Sequence, residues 1–256
     1  IDEIEARSVS SNNLLAEVAR TALVGRSTES ALDHLADLIS QAVTTIPDSD
    51  YERVRMAKEG KGTPSTSRLI NGLVLEKRLA LERMPRKLEE CQIAVLSCPL
   101  ELESSVVSSE IEINTPEQYE AFIDAEQKQI DSITDKAINS GAKAIFSAEG
   151  IDQRILHSLA DAGIFALGGI EKPMAEDIAK ACGAMLCDHL DDISSSLGTI
   201  ESLLHQRLEG AEGVRERLII EVGPSAGIVT ILVGGTDGVA AEETIRGLYD
   251  SLRSTC

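Results

Sequence analysis

Tryptophan is absent, and tyrosine and phenylalanine supply three residues each, so aromatics are 2% of the 256 residues. The core must therefore be built from Leu, Ile, Val and Ala, and stacking platforms for planar cofactors or bases are scarce. Basic side chains are also few: 24 Lys and Arg stand against 43 Asp and Glu, a formal net charge of −19. That balance argues against a nucleic-acid partner, whose binding surface must be basic. The five cysteines, Cys91, Cys98, Cys182, Cys187 and Cys256, are odd in number and show no paired framework, which points to a reducing compartment and hence the cytoplasm. No run approaches the ~18 apolar residues of a membrane span, and the acidic start Ile1-Asp2-Glu3-Ile4-Glu5 is no secretory n-region, so no membrane partner is expected. There is no initiator Met, and the helical spacing at the end runs on without a C-cap, the pattern expected of a piece of a longer chain.

What is present is ordinary globular material, 43% hydrophobic and 26% charged, enough for one large domain or two small ones. Leu14, Leu15, Val18, Ala19, Ala22 and Leu23, then Ala31, Leu32, Leu35, Ile39, Ala42 and Val43, recur at helical spacing and predict two amphipathic helices. From Pro47 to Ser67 the chain turns polar and reads as a loop, with a boundary near Gly72. Strands are expected at Leu69–Leu75, at Ile93–Leu96 and, on an exposed edge, at Glu110–Ile113. Thr115-Pro116-Glu117-Gln118 is a helix start, with an N-cap Thr, Pro at the first helical position and a capping-box Gln. The helix it opens runs to Gly141, with Tyr119, Phe122, Ile123, Ile130, Ile133 and Ala137 on one stripe and acids over much of the rest.

Short apolar runs at Ala144–Ser147, Ile164–Leu167 and Ala184–Cys187 alternate with helical patterns at Asp152–Ala162 and Pro173–Cys182, a β-α-β-α-β series. Gly198 to Gly213 is polar and reads as a loop; Arg217–Val222 and Gly227–Val233 read as strands and Val239–Ser254 as a closing helix. The fold class is mixed α/β.

Few constellations carry chemistry. Gly234-Gly235-Thr236-Asp237-Gly238, between a strand and a helix, could cradle an anion, but no Lys-Ser/Thr pair follows and no G-x-G-x-x-G occurs. Cys182, Cys187 and His189 match no zinc spacing, and His34, His157, His189 and His205 form no ligand motif, so no metal is expected. Asp250, beside Tyr249 on the closing helix, is by itself an ordinary solvated carboxylate.

A run of small motifs points further. Met84-Pro85-Arg86-Lys87, Ile93-Ala94-Val95-Leu96 and Cys98-Pro99-Leu100-Glu101 precede the long helix. Gly150-Ile151-Asp152, Leu159-Ala160-Asp161-Ala162-Gly163-Ile164 and Val229-Thr230-Ile231-Leu232 follow it. Taken in order, they resemble the apical and intermediate domains of a group II chaperonin, the thermosome and eukaryotic cytosolic chaperonin family. Two positions depart from the family pattern: Glu149 stands where a turn lysine is usual, and Gly234 where an arginine follows the "VTIL" strand.

The resemblance implies an apical domain over 72–222, a β-sandwich flanked by helices with a long helical protrusion at about 102–138, inserted into a discontinuous α+β intermediate domain formed by 1–71 and 223–256. The family's phosphate-binding "GDGTT" loop, carried by its equatorial domain, does not occur in this sequence. The implied function is binding of unfolded polypeptide and supply of the built-in lid of an ATP-driven double ring that assists folding. Val106, Val107, Ile111, Ile113, Tyr119, Phe122 and Ile123 would belong to the lid, and Lys172, Met174, Glu176, Asp177 and Lys180 to the substrate-facing helix. Asp250 matches the family's aspartate that orients the water attacking the γ-phosphate. Unfolded clients and other chaperonin subunits would be the partners; this segment alone would bind no cofactor, and ATP and Mg would belong to the longer parent. The alternatives are a chaperonin-like scaffold without folding activity and a small nucleotide or sugar-phosphate enzyme using Gly234–Gly238.

Overall fold

The computed structural model describes residues 12–24, 31–46, 50–102, 115–210, 213–235 and 238–255. The chain forms two compact units, Ile1–Arg78 with Leu203–Cys256, and Leu79–Ser202.

In the first unit the expected opening helices are present as α1 (Asn12–Leu23) and α2 (Leu32–Thr45), and the closing helix as α6 (Gly238–Thr255). A three-stranded sheet has β10 (Val229–Val233) at its centre, parallel to β1 (Val54–Lys58) and antiparallel to β2 (Arg68–Ile70). Ala19 and Leu23 of α1, Leu35 and Ile39 of α2, and Leu248 and Leu252 of α6 form one core with Val229, Ile231 and Val233. All five residues of β10 are buried, the continuous apolar run expected of a strand covered on both faces. The Ser251 hydroxyl donates to the Ala19 carbonyl at 3.1 Å, pinning α6 to α1 inside that core.

Two segments read as loops are strands. Arg55 and Lys58 disguise β1 within the polar stretch Pro47 to Ser67, yet it pairs in register with the apolar β10. Gly198 to Gly213 contains β8 (Gly198–Gly210), where Leu203 and His205 are buried among polar neighbours. The strand expected over Leu69–Leu75 is broken into β2 and β3 (Gly72–Leu75). The break lies at Gly72, whose φ is +151° and where a Cβ would stand 2.0 Å from the Ile220 carbonyl oxygen, a position open only to glycine. Beyond it β3 pairs antiparallel with β9 (Gly213–Glu221), so the chain changes sheets at that residue.

The second unit contains the β-α-β-α-β series. β4 (Lys87–Leu96) pairs in parallel with β5 (Ala144–Ser147) and with β7 (Leu186–Cys187), and β5 with β6 (Phe165–Leu167). Between them run α3 (Pro116–Asn139), α4 (Gln153–Asp161) and α5 (Lys172–Cys182). Ile130 and Ala137 of α3, Ile155 and Leu159 of α4, and Leu96, Ile145 and Ala166 of the strands form a single core. β4 begins six residues before the apolar run Ile93–Leu96 that signals it, because its first half carries charged side chains. The expected strand Glu110–Ile113 lies outside the described residues.

Candidate functional site

The described residues among those singled out by sequence for the lid, the client-facing helix and catalysis fall on three helices. In α5, Pro173 occupies the first turn, and Gly183 ends the helix at φ +69°, the left-handed cap that glycine adopts without cost. One face, with Ala175, Ile178, Ala179, Ala181 and Cys182, is buried, and the helix packs on β4 and β7. That packing leaves Lys172 and Lys180 exposed and Met174, Glu176 and Asp177 half-buried at the margin. The outer face thus offers two ammonium groups, two carboxylates and one flexible thioether on a rigid support. Cys182 is spent on structure: its thiol donates to the Ile178 carbonyl at 2.9 Å, and burial pushes its pKa up to about 11.

α3 starts as its sequence dictates, Thr115 Oγ1 accepting from the Gln118 amide at 3.3 Å with Pro116 in the first turn. Its apolar stripe is used unevenly. Ile130, Thr134 and Ala137 are buried, whereas Tyr119 and Ile123, on the same stripe, are 56% and 43% exposed and Phe122 is half-buried. Val106, Val107, Ile111 and Ile113 lie outside the described residues.

Asp250 is exposed on α6, between the buried Leu248 and the buried pair Ser251 and Leu252. The helix bearing it is fastened at both ends: Glu242 pairs with Lys58 of β1 at 2.8 Å, and the Arg253 guanidinium lies 6.0 Å from the centre of the Tyr51 ring. Asp250 therefore lies on the exposed side of a helix whose other side is buried through Leu248 and Leu252.

The described glycines of that segment, Gly234 and Gly235, have their amides already engaged. The Gly234 amide donates to Ser67 Oγ at 3.0 Å and the Gly235 amide to the Lys61 carbonyl at 3.3 Å. At Gly234 a Cβ would lie 2.2 Å from the Thr63 carbonyl oxygen, so close backbone packing explains the glycine that replaces the expected arginine. Among the described residues no group of three or more His, Cys, Asp or Glu side chains gathers as a metal site would require.

Sequence reasoning missed a buried polar cluster. Arg217 of β9, its side chain 4% exposed, donates in bidentate fashion to Glu59 at 2.9 and 3.1 Å and to Gln206 Oε1 of β8 at 2.8 and 2.9 Å. Beside it on the two strands, His205 Nε2 stands 3.1 Å from Glu216 Oε2. The partners are 158 and 11 residues apart, and no local pattern announces them.

Comparison with known proteins places this architecture. Thermosome subunit alpha of Archaeoglobus fulgidus is 32% identical over 253 residues, covering 96% of this chain and 46% of that protein. A thermosome subunit of Methanopyrus kandleri is 32% identical over 247 residues, 93% of this chain and 44% of that protein. The chain spans about half the length of the curated relatives it matches. The open-state monomer of a group II chaperonin from Methanococcoides burtonii superimposes with a TM-score of 0.73 at 24% identity, covering 97% of this chain and 57% of that one, so the mixed α/β fold is shared. Residues 1–256 match the TCP-1/cpn60 chaperonin family as a whole, and the chain belongs to that family.

Proposed function

We propose that this chain is the client-handling part of a chaperonin subunit: it binds unfolded polypeptide and supplies the built-in lid of an ATP-driven double ring in the cytoplasm. The observation that carries this reading is the family match over all 256 residues. On this reading 72–222 is the apical domain, and 1–71 with 223–256 are the two halves of the intermediate domain; residues 72–78 and 203–222 of the insertion pack with the first compact unit. The outer face of α5, with Lys172 and Lys180 exposed and Met174, Glu176 and Asp177 half-buried at its margin, suits weak, selective capture of non-native chains, since mixed charge discriminates where a purely apolar face would not. α3, with Tyr119, Phe122 and Ile123, is the lid helix. ATP and Mg act in the longer protein, where Asp250 orients the attacking water.

The test is suppression of aggregation. A chemically unfolded client diluted into buffer with an equimolar amount of this chain should scatter less light than with a control protein of equal charge. No suppression at tenfold excess would make the chain a scaffold without client binding. For Asp250, D250A in the longer protein should lower ATP turnover by about 10²-fold or more while nucleotide still binds; unchanged turnover would leave Asp250 a surface acid.

A further inference from the structure

α6 carries two arginines, and both stand beside Asp250. Successive helical residues turn by about 100°, so Arg246, four residues before Asp250, and Arg253, three after it, lie about 40° and 60° from it on the same side. Tyr249 follows beyond them on that side, and all four residues are exposed. Glu243 lies nearly in line with Asp250 on the other side, but two turns, about 10 Å, toward the N-terminus.

The two arginines are held differently. Arg246 faces Glu242 one turn back: Lys58, at 2.8 Å, and then Arg246 hold the Glu242 carboxyl below its ordinary range. The charge of Arg246 is thus answered by an acid on its own helix. Arg253 has an aromatic partner instead: its guanidinium lies 6.0 Å from the centre of the Tyr51 ring, and among the described residues no carboxylate pairs with it. Tyr51 is itself fixed just before β1. It opens the short turn Tyr51–Arg53, capped by Asp50, which accepts from the Glu52 amide at 3.1 Å and pairs with Arg53 at 3.3 Å.

The kind of partner decides what the guanidinium can still do. A carboxylate neutralises the cation, whereas an aromatic ring attracts it without neutralising it. The ring also restrains the long side chain, so less freedom is lost when an anion arrives. Phosphoryl transfer calls for such a cation. Water bonds to the γ-phosphorus as the bond from that phosphorus to the β–γ bridging oxygen breaks; the water keeps one proton in the new P–OH group and passes the other to a phosphate oxygen. Negative charge stays spread over the oxygens of the transferred group throughout. A carboxylate brought near those oxygens repels them unless a positive charge beside it offsets the repulsion.

We infer that Arg253, steered by Tyr51, is the cation that meets the transferred phosphoryl group while Asp250 orients the water. The inference deepens the reading of Asp250 proposed above and rests on it.

The experiment uses the longer protein and two readouts: ATP turnover, and the affinity for ADP with and without aluminium fluoride, a mimic of the transferred phosphoryl group. R253M should lower kcat by about 10²-fold or more and change the KM for ATP less than about threefold. It should also abolish the tighter ADP binding that aluminium fluoride gives, without weakening ADP alone. Y51S, which frees the guanidinium, should fall between the parent and R253M in both readouts, and Y51F, which keeps the ring, should rescue the loss. Circular dichroism and melting check that the variants fold; R253K, which keeps the charge but not the planar fork, carries the same comparison if R253M does not. Parent-like turnover in R253M while D250A is slow would overturn the inference and leave Asp250 in its role. Equal weakening of ADP with and without aluminium fluoride would make Arg253 a structural or ground-state contact and overturn it too. Parent-like turnover in Y51S would overturn the steering by the ring. Parent-like turnover in R253M and D250A alike would sink the reading of Asp250 itself.

Discussion

Arg217 has almost no access to water, and its side chain is held by polar side chains brought from another strand and a loop, Gln206 and Glu59. Removing it leaves the Glu59 carboxylate, 16% exposed, without its counter-charge. R217M is therefore expected to lose about 3–5 kcal/mol of unfolding free energy in urea, and R217M/E59M to lose less than the sum of the two single changes. Additive losses would mean that the pair is not coupled. Cys182 makes a pH prediction. Its folded pKa, pushed up to about 11 by burial, lies above that of an unfolded thiol. The protonated form is thus favoured on folding, and the contribution is fully present below the unfolded pKa of about 8.5 and lost as pH rises through the folded value. Melting temperature should accordingly fall between about pH 9 and pH 11 more steeply in the parent than in C182A, and the thiol should be slow toward disulfide reagents at pH 8.

Among the elements, α4 shows how local chemistry sets a boundary. Asp152 caps it, accepting from the Arg154 amide at 2.7 Å and pairing with the Arg154 guanidinium at 3.1 Å. The Arg154 hydrogen bond holds the Asp152 carboxyl below its ordinary range. That stabilisation is present above the unfolded carboxyl pKa of about 3.9 and disappears as pH falls through the lower folded value. D152A should cost about 1 kcal/mol at pH 7. D152N, which keeps a capping oxygen, should cost less, and its deficit should shrink as pH falls below the unfolded carboxyl pKa of about 3.9; a deficit independent of pH would remove the charge from the account. Helices were the legible elements, because each announces itself by a stripe and a cap within a dozen residues: α3 begins at Thr115 as read, and α5 ends at Gly183. Strands were most legible where both faces are covered, as in β5, β6 and β10. β1 and β8 carry Arg55, Lys58, His205, Gln206 and Arg207; His205 and Gln206 find their partners on β9 and Lys58 on α6, so period alone could not separate these strands from loop.

At the scale of the whole molecule the dominant quantity is charge. A net −19 on 256 residues repels itself in the folded state more than in an expanded chain, and salt screens that repulsion. The melting temperature is expected to rise between 0.1 and 1 M KCl; a flat response would show that the carboxylates are spaced too far apart to interact.

The order of small motifs from Met84 to Leu232 was enough for the sequence alone to place the chain in its family, and helical periodicity was enough to find every α-helix described. These are local properties: a cap, a stripe or a turn glycine acts on residues within a few positions of itself. Which acids are buried and paired, why Gly72 must be glycine, why the Gly234 amide is already spent, and how far the α3 stripe stays in solvent were decided only by the tertiary structure. Each of those depends on groups brought together from distant parts of the chain, and burial, which sets the cost of an unpaired charge or amide, does not exist until the chain has folded.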